Sequence, residues 1–267
     1  MVDLLRRSIS PVTDEAWKAI DQTAVRVLKG YLTARTVVDF DGPHGWHFGA
    51  VNLGRLEASH EPAPSGVPWG VRKVLPLVEV RIPFVLKQME LDNVSRGEKN
   101  PDLAPLEKAA REAALFEETA VYRGFPEGGI EGILPQSEHP PIALPQAAEQ
   151  IPPVVAEGVR ALSLAGIPGP YTLVLGSRPF FNLLRSAGNY PPSRVVRELI
   201  GGKILHGPAL DGGVLLSQAG GFFELTVGQD FSVGYHRRNH DTVDLFLTES
   251  FTFRVLERKA AVELRAG

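Results

Sequence analysis

The feature that most constrains this fold is a long alternation of apolar and polar side chains near the end of the chain. Residues 243–255 alternate over the length of a strand of about 13 residues, more than twice the usual mean. A second alternation covers 78–87 and predicts another long, half-buried strand. Two such strands, separated by a whole α/β segment, predict an elongated subunit.

Two amphipathic helices are predicted outside these strands. Residues 14–29 place their apolar side chains on one face, and Thr13 is suited to cap the helix. The longest predicted helix covers 102–123, with Asp102 as its cap. Alanines on the face of this helix predict close packing against another element. A short strand is predicted at 35–41.

The middle of the chain, 130–220, mixes short elements. Helices are predicted at 153–165, 178–186 and 192–200. Strands are predicted at 171–175, 203–206 and 213–217. Alternating short strands and helices indicate a compact α/β insert.

The segment 42–70 is predicted to be a long loop or hairpin that extends away from the compact part of the chain. It includes three prolines between His60 and Pro68, and proline prevents a helix and disfavours a central strand. A long loop or hairpin of this kind usually has a function outside its own domain. We expect it to contact a neighbouring subunit.

Composition excludes several classes of protein. The 267 residues are 43% hydrophobic, enough for one large domain or two intertwined ones. The formal net charge of -3 argues against a nucleic-acid partner. With no cysteine, disulfides and thiolate chemistry are ruled out, which fits a reducing compartment. No stretch has the length of a signal peptide's apolar core or of a membrane span, so we expect a cytoplasmic protein without a membrane partner.

The residues that resemble catalytic or metal-binding groups have simpler interpretations. Ser177 follows a glycine, but the second glycine of a nucleophile elbow is missing, so we interpret it as a helix cap. His236 and His240 have the spacing of metal ligands on a helix but lie between two strands beside Arg237 and Arg238. We interpret them as part of a solvated turn and predict no metal site and no catalytic residue.

Glu249 is a carboxylate in phase with the apolar side of the last long strand. A buried carboxylate needs a partner or a raised pKa. An active-site acid would satisfy this requirement, but we favour a structural ion pair with an arginine.

Short characteristic sequences occur in order along the whole chain. They include Leu5-Arg6-Arg7, Gly42-Pro43-His44-Gly45-Trp46, Glu90-Leu91-Asp92-Asn93, Gly129-Ile130-Glu131-Gly132, Gly228-Gln229-Asp230-Phe231-Ser232-Val233-Gly234-Tyr235 and Glu249-Ser250-Phe251-Thr252-Phe253. Each fragment alone is weak, but their order and spacing make the set specific. In this respect the chain resembles the encapsulin shell proteins, also called the linocin or culture-filtrate-antigen family.

The resemblance implies an α+β, tailed-phage major capsid-like fold with a peripheral domain, an axial domain and an extended loop. The implied parts are an N-terminal helix and strand (1–41), the extended loop (42–73), the peripheral domain (74–129 and 221–267, with spine helix 102–123) and the axial domain (130–220). Such subunits assemble with themselves into an icosahedral nanocompartment. The modest length of this chain favours the smallest closed shell, with T=1 symmetry. The shell encloses a cargo enzyme, a peroxidase or a ferritin-like protein, which links it to oxidative stress or iron storage.

The resemblance also implies two sites. A short targeting peptide on the cargo would bind the inner wall in a groove between the N-terminal helix and the strands near 229–235. The implied peptide-binding residues are Leu28, Arg35, Asp39, Asp230, Phe231, Val233 and Tyr235. The same residues could instead simply pack the helix on its sheet. The implied pore loop is Ser186, Ala187, Gly188, Asn189 and Tyr190, for which an ordinary turn is the alternative.

Cofactors and other functions complete the expectations. Some relatives have an aromatic residue at the position of Met89, suited to stacking a flavin, and methionine cannot stack in that way, so we expect no flavin. The alternatives are a phage-type major capsid protein and a hydrolase or bacteriocin. Because no catalytic constellation is visible, we expect a structural protein and not an enzyme.

Overall fold

The computed structural model describes residues 3–58, 63, 66–185 and 190–267. Its helices are α1 (Asp14–Lys29), α2 (Gln88–Ser95), α3 (Ala104–Arg123), α4 (Ile133–Gln136), α5 (Ile151–Leu164), α6 (Ser177–Arg185) and α7 (Pro192–Ile200). Its strands are β1 (Asp39–Asp41), β2 (Ala50–Ala58), β3 (Gly70–Pro76), β4 (Val78–Lys87), β5 (Ile142–Leu144), β6 (Tyr171–Leu175), β7 (Ile204–His206), β8 (Gly213–Ser217), β9 (Phe223–Val227), β10 (Ser232–Asn239), β11 (Thr242–Val255) and β12 (Ala261–Ala266).

The first sheet is organised around β11. This 14-residue strand pairs antiparallel with β4 along one side. Along its other side it pairs with β10 through its first half and with β9 through its second half. The short β1 adds to β9 in parallel. Both long strands predicted from the alternation are confirmed, and each is within a residue or two of its expected bounds.

One face of this sheet is covered by α1 and α3. The prediction for α1 is confirmed, including its cap, because the Thr13 hydroxyl accepts a hydrogen bond from the Ala16 N–H. The apolar face of α1 packs against α3. Small side chains on α3 allow this close approach, since Ala109, Ala110 and Ala113 are buried.

The second sheet has the order β5-β12-β8-β6-β7 and packs against α5. The helices and strands predicted for the middle of the chain are all present there, with ends shifted by at most two residues. The strand β12 was not anticipated: it pairs with β5 and β8, so the end of the chain joins this sheet and not the first. The two sheets share one continuous apolar core.

The excursion predicted at 42–70 contains an antiparallel hairpin. Strands β2 and β3 pair with each other and with no other strand of the described residues. The hairpin and the segment before β3 expose a set of apolar side chains, each more than half accessible: Leu56, Val67, Trp69, Val71 and Val74. A hairpin with such a surface buries little against its own subunit.

Some local expectations are wrong. Residues 35–41 do not form one strand, because a 3-10 turn (Ala34–Thr36) comes first and only Asp39–Asp41 pairs. His236 lies within β10 and not in the turn, which is formed around His240. Asp102 accepts a hydrogen bond from the Ala104 N–H, although the helix begins after Leu103. Within the described ranges, no helix is both long and apolar enough to cross a membrane.

Candidate peptide groove and buried charge cluster

Arg35 is the centre of a network of carboxylates. Its Nε lies 2.9 Å from Glu117 Oε1, and its Nη2 lies 2.6 Å from Glu117 Oε2. Its Nη1 donates to Asp230 Oδ1 at 2.9 Å, and Nη2 also donates to Glu249. The predicted ion pair between Glu249 and an arginine is therefore confirmed. Four different parts of the chain meet at this one guanidinium.

The fold, more than any local motif, brings these groups together. Arg35 lies in the 3-10 turn after α1, Glu117 projects from α3, and Glu249 lies on β11. Asp230 lies in the link between β9 and β10. The side chains of Glu117 and Glu249 are almost completely buried, whereas 41% of the Asp230 side chain is exposed. The network thus connects the core with the surface.

Glu118 forms a second buried polar contact beside the first. It accepts hydrogen bonds from the Ala34 N–H at 2.6 Å and from the Thr33 hydroxyl at 2.5 Å. The Thr33 hydroxyl is also 3.3 Å from the Tyr122 hydroxyl. Glu118 therefore fixes the backbone of the turn that presents Arg35.

The sequence reading missed Glu117 and Glu118, although a signal was present. Each follows a buried alanine by four residues, Ala113 and Ala114 respectively. Positions four apart share one face of a helix, so this spacing predicts that both carboxylates point toward the core.

Burial shifts the protonation of these acids. Desolvation raises the pKa of Glu118 to about 8, although its hydrogen bonds oppose the shift. Desolvation and the neighbouring Glu117 raise the pKa of Glu249 well above its usual value, against the attraction of Arg35. Burial lowers the pKa of Arg35, but the carboxylates, with Glu117 first, raise it overall.

Two aromatic rings flank the guanidinium at the surface. The Cζ of Arg35 lies 4.9 Å from the centroid of the Phe231 ring and 5.2 Å from that of Phe40. Asp39 is exposed next to Phe40, and its carboxylate accepts from the Gly221 N–H at 2.6 Å. The surface around Arg35 therefore presents two aromatic rings and the carboxylate of Asp230, while the charge of Arg35 is already matched by acids.

The structure separates the seven predicted peptide-binding residues. Arg35, Asp230 and Phe231 lie together at the partly exposed end just described. Asp39 precedes Phe40 in β1, so its side chain points to the opposite face of the strand, where it accepts from the Gly221 N–H. The others lie between α1 and β10: Leu28, Val233 and Tyr235, of which the first two are buried in the core. Packing of the helix on its sheet accounts for these two, so their role toward a peptide stays a prediction.

The predicted pore loop lies mostly outside the described residues, which exclude Ser186, Ala187, Gly188 and Asn189. Tyr190 follows them, with its ring under the guanidinium of Arg194 at 5.1 Å and its hydroxyl bonded to Glu198. The role of the loop stays a prediction.

Ser177 is the first residue of α6, and its hydroxyl lies 2.9 Å from His206 Nε2. The ring of His206 stacks on that of Phe180, with a centroid separation of 5.1 Å. Burial lowers the pKa of His206, which favours its neutral form. This contact ties α6 to the end of β7. In the described part of the chain, no group of three or more histidines and acids is placed to hold a metal ion.

The architecture matches that of known shells. A virus-like particle from Pyrococcus furiosus superimposes with a TM-score of 0.67 over 93% of this chain and 98% of that chain, at 16% identity. The capsid of Myoviridae phage XM1 gives a TM-score of 0.55 at 11% identity, over 88% and 92% of the two chains. At these identities the likeness shows the fold alone. The chain thus has the fold of the phage-type major capsid proteins, and the predicted α+β capsid-like class is confirmed.

Sequence comparison then identifies the family. Residues 2–252 match the family model described as "Encapsulating protein for peroxidase". The type 1 encapsulin shell protein of Rhodospirillum rubrum is 43% identical, covering 98% of this chain and 96% of that protein. The corresponding protein of Mycobacterium tuberculosis is 36% identical, covering 97% and 98%. The chain belongs to the encapsulin shell protein family.

Family membership decides between the classes considered from the sequence. These relatives are shell proteins, structural rather than catalytic, so this chain is a shell subunit and not an enzyme. Encapsulin shell proteins assemble from copies of themselves into a capsid-like shell. The expected family is confirmed, and the hydrolase or bacteriocin alternative is not supported.

Proposed function

We propose that the shell formed by this chain encloses a cargo enzyme, which a short targeting peptide holds in the groove beside Arg35. The observation that carries the proposal is the exposed end of the charge cluster, where Phe231, Phe40 and the carboxylate of Asp230 lie against a partly buried arginine. A groove with apolar contacts and a few fixed charges suits a short tethered peptide. Many such tethers in one shell add avidity to a weak contact.

The charges of the groove indicate which peptides fit. Arg35 is bound to Glu117, Glu249 and Asp230, so a carboxylate on the peptide would have to compete with buried ion pairs. Asp230 presents an accessible carboxylate, and the rings of Phe40 and Phe231 flank the same guanidinium. A targeting peptide with apolar side chains and a basic residue is the better match.

The hairpin supports assembly from many copies. Its exposed apolar side chains would be buried only on contact with another subunit. A closed homo-oligomer repeats the same contact between every pair of neighbouring subunits. We propose a T=1 shell, because the chain is short, and a cytoplasmic location, because the absence of cysteine fits a reducing compartment.

The class of cargo is proposed from the family description. That description names a peroxidase, and a ferritin-like protein is the second candidate, so the shell would serve oxidative-stress defence or iron storage. We further propose that the shell binds no flavin at Met89. This side chain is 61% exposed on α2, and a thioether lacks the ring needed to stack an isoalloxazine.

Co-expression with the neighbouring genes tests the proposal. The expected result is uniform hollow spheres by electron microscopy, with one copurifying enzyme inside them. Phe231→Ala should reduce the retained cargo by about tenfold or more through the lost aromatic contact, with assembly unchanged. Val25→Ala, an exposed apolar change on α1, is the matched control and should retain cargo. Soluble monomers, or equal cargo in both variants, would reject the proposal.

A further inference from the structure

The N-terminal strap, which we define as residues 3–10, lies on the open edge of β10. Among the described strands, β10 pairs only with β11, so its other edge has unpaired main-chain groups. The Tyr235 N–H donates to the Leu5 carbonyl at 2.8 Å. Arg7 Nε donates to the Val233 carbonyl at 2.8 Å. The strap therefore satisfies two of the main-chain groups that an added strand would use, the Tyr235 N–H and the Val233 carbonyl.

Arg7 also ties the strap to α1. Its two terminal nitrogens donate to the carboxylate of Asp21 at 2.8 and 2.7 Å, and its Cζ lies 4.3 Å from the centroid of the Trp17 ring. The Trp17 Nε1 donates in turn to the Ser10 hydroxyl at 3.1 Å. The strap thus spans from β10 to α1 and covers the groove at the end where Val233 and Tyr235 lie.

Arg7 is the main side-chain anchor of the strap, and Leu5 and Ser10 each add one hydrogen bond. Leu4 and Ile9 are 46% and 71% exposed, so they gain little from burial. The contacts of Asp3 with Ser8 and with the Arg6 N–H stay within the strap. Arg6 has a left-handed backbone (φ 53°, ψ 29°), which is unfavourable for a residue with a Cβ. A short exposed segment held by one charged side chain and two single hydrogen bonds can be replaced by a competitor.

We propose that the edge of β10 is a binding surface for an extended peptide and that the strap is its exchangeable occupant. A docking peptide would pair with Val233 and Tyr235 in place of Leu5 and Arg7, by adding a strand. The inference rests on the proposed function, since the same groove is expected to receive the cargo peptide. The strap would then regulate access to half of that groove.

The charge on Arg7 allows a direct test. The probe is a fluorescein-labelled peptide with the sequence of residues 3–12, present while dissociated shells reassemble, and retained dye is measured after gel filtration. A tethered strap has a high effective concentration, so wild-type shells should retain little probe. In the Arg7→Ala variant the strap loses the charged hydrogen bonds of Arg7, so it competes less well with the probe. The amount of probe retained by the shells should rise about tenfold.

Two further variants make the result specific. Arg6→Ala removes the neighbouring arginine, whose side chain lines a cavity with Arg81 and Phe246 on the sheet, and should retain as little probe as wild type. The double variant Arg7→Ala with Asp21→Asn removes the anchor that the probe itself needs, so its retention should return to the wild-type level. Equal retention in all shells, or lower retention with Arg7→Ala, overturns the inference and makes the strap a fixed shield of the edge.

A second measurement does not depend on the Arg7 variant. Because the chain has no cysteine, Ile9→Cys can carry the only spin label. Excess unlabelled probe should increase the mobility of that label if the strap is displaced, and an unchanged spectrum contradicts displacement. If the probe exchanges while Phe231→Ala shells still retain all their cargo, the proposed function fails and the inference about the β10 edge stands.

Discussion

Replacing Glu118 with glutamine should remove most of the alkaline sensitivity of this subunit. The carboxyl is buried, and desolvation raises its pKa from 4.5 to about 8. The folded protein therefore binds this proton more tightly than the unfolded chain does. The resulting stabilisation is complete below about pH 4.5 and is lost progressively as the pH rises through 8.

The size of the effect follows from the shift. A rise from 4.5 to about 8 corresponds to an upper limit of about 5 kcal/mol. This shift already includes the hydrogen bonds from Ala34 and Thr33, and relaxation around the ionised carboxylate lowers the cost below the limit. We expect about 2–3 kcal/mol between pH 5 and pH 9, or roughly 5 °C in melting temperature for a chain of this size. Glutamine is the same size: its amide oxygen can accept from the Ala34 N–H, and its amide nitrogen can donate to the Thr33 hydroxyl oxygen.

The assay is thermal unfolding of assembled shells between pH 5 and pH 9, followed by tryptophan fluorescence. As the pH rises, the melting temperature of the wild type should fall more than that of Glu118→Gln, so the variant becomes the more stable of the two. Glu112→Gln, an exposed change on the same helix, controls for the loss of charge and should leave the wild-type slope unchanged. If the plots of melting temperature against pH are parallel for wild type and Glu118→Gln, Glu118 is ionised over the whole range from pH 5 to pH 9, and the reasoning is refuted.

Three other substitutions test the packing described above. Arg35→Met should lower the free energy of unfolding in urea by about 3–5 kcal/mol, because it leaves buried carboxylates without their cation. An unchanged free energy of unfolding would show that the ion pairs of the cluster do not stabilise the fold. Gly234→Ala should cost about 1–3 kcal/mol, since its Cβ would lie 2.2 Å from the Phe246 ring, whereas Gly49→Ala meets nothing within 4 Å and should be tolerated. Phe251→Ala should cost about 3–5 kcal/mol by opening a cavity in the core, and a loss under 1 kcal/mol would contradict its complete burial.

Part of the charge cluster could be anticipated from sequence. The phase of Glu249 in its strand predicted burial and an arginine partner, and the structure shows both. The identity of that arginine could not be derived from spacing, because Arg35 and Glu249 are 214 positions apart. Glu117 and Glu118 had the helical phase of buried residues, but their partners also lie in the turn after α1. The role of the peptide groove rests on resemblance and stays a proposal.

The amino-acid sequence alone determined the elements whose signals are local. The alternation at 243–255 predicted β11, and the apolar face and cap at 14–29 predicted α1, because strand and helix periodicities depend on neighbouring residues. Tertiary structure alone decided where β12 pairs and that the N-terminal strap covers β10. It also decided the protonation of Glu118, since the water that a carboxyl loses depends on every element packed around it.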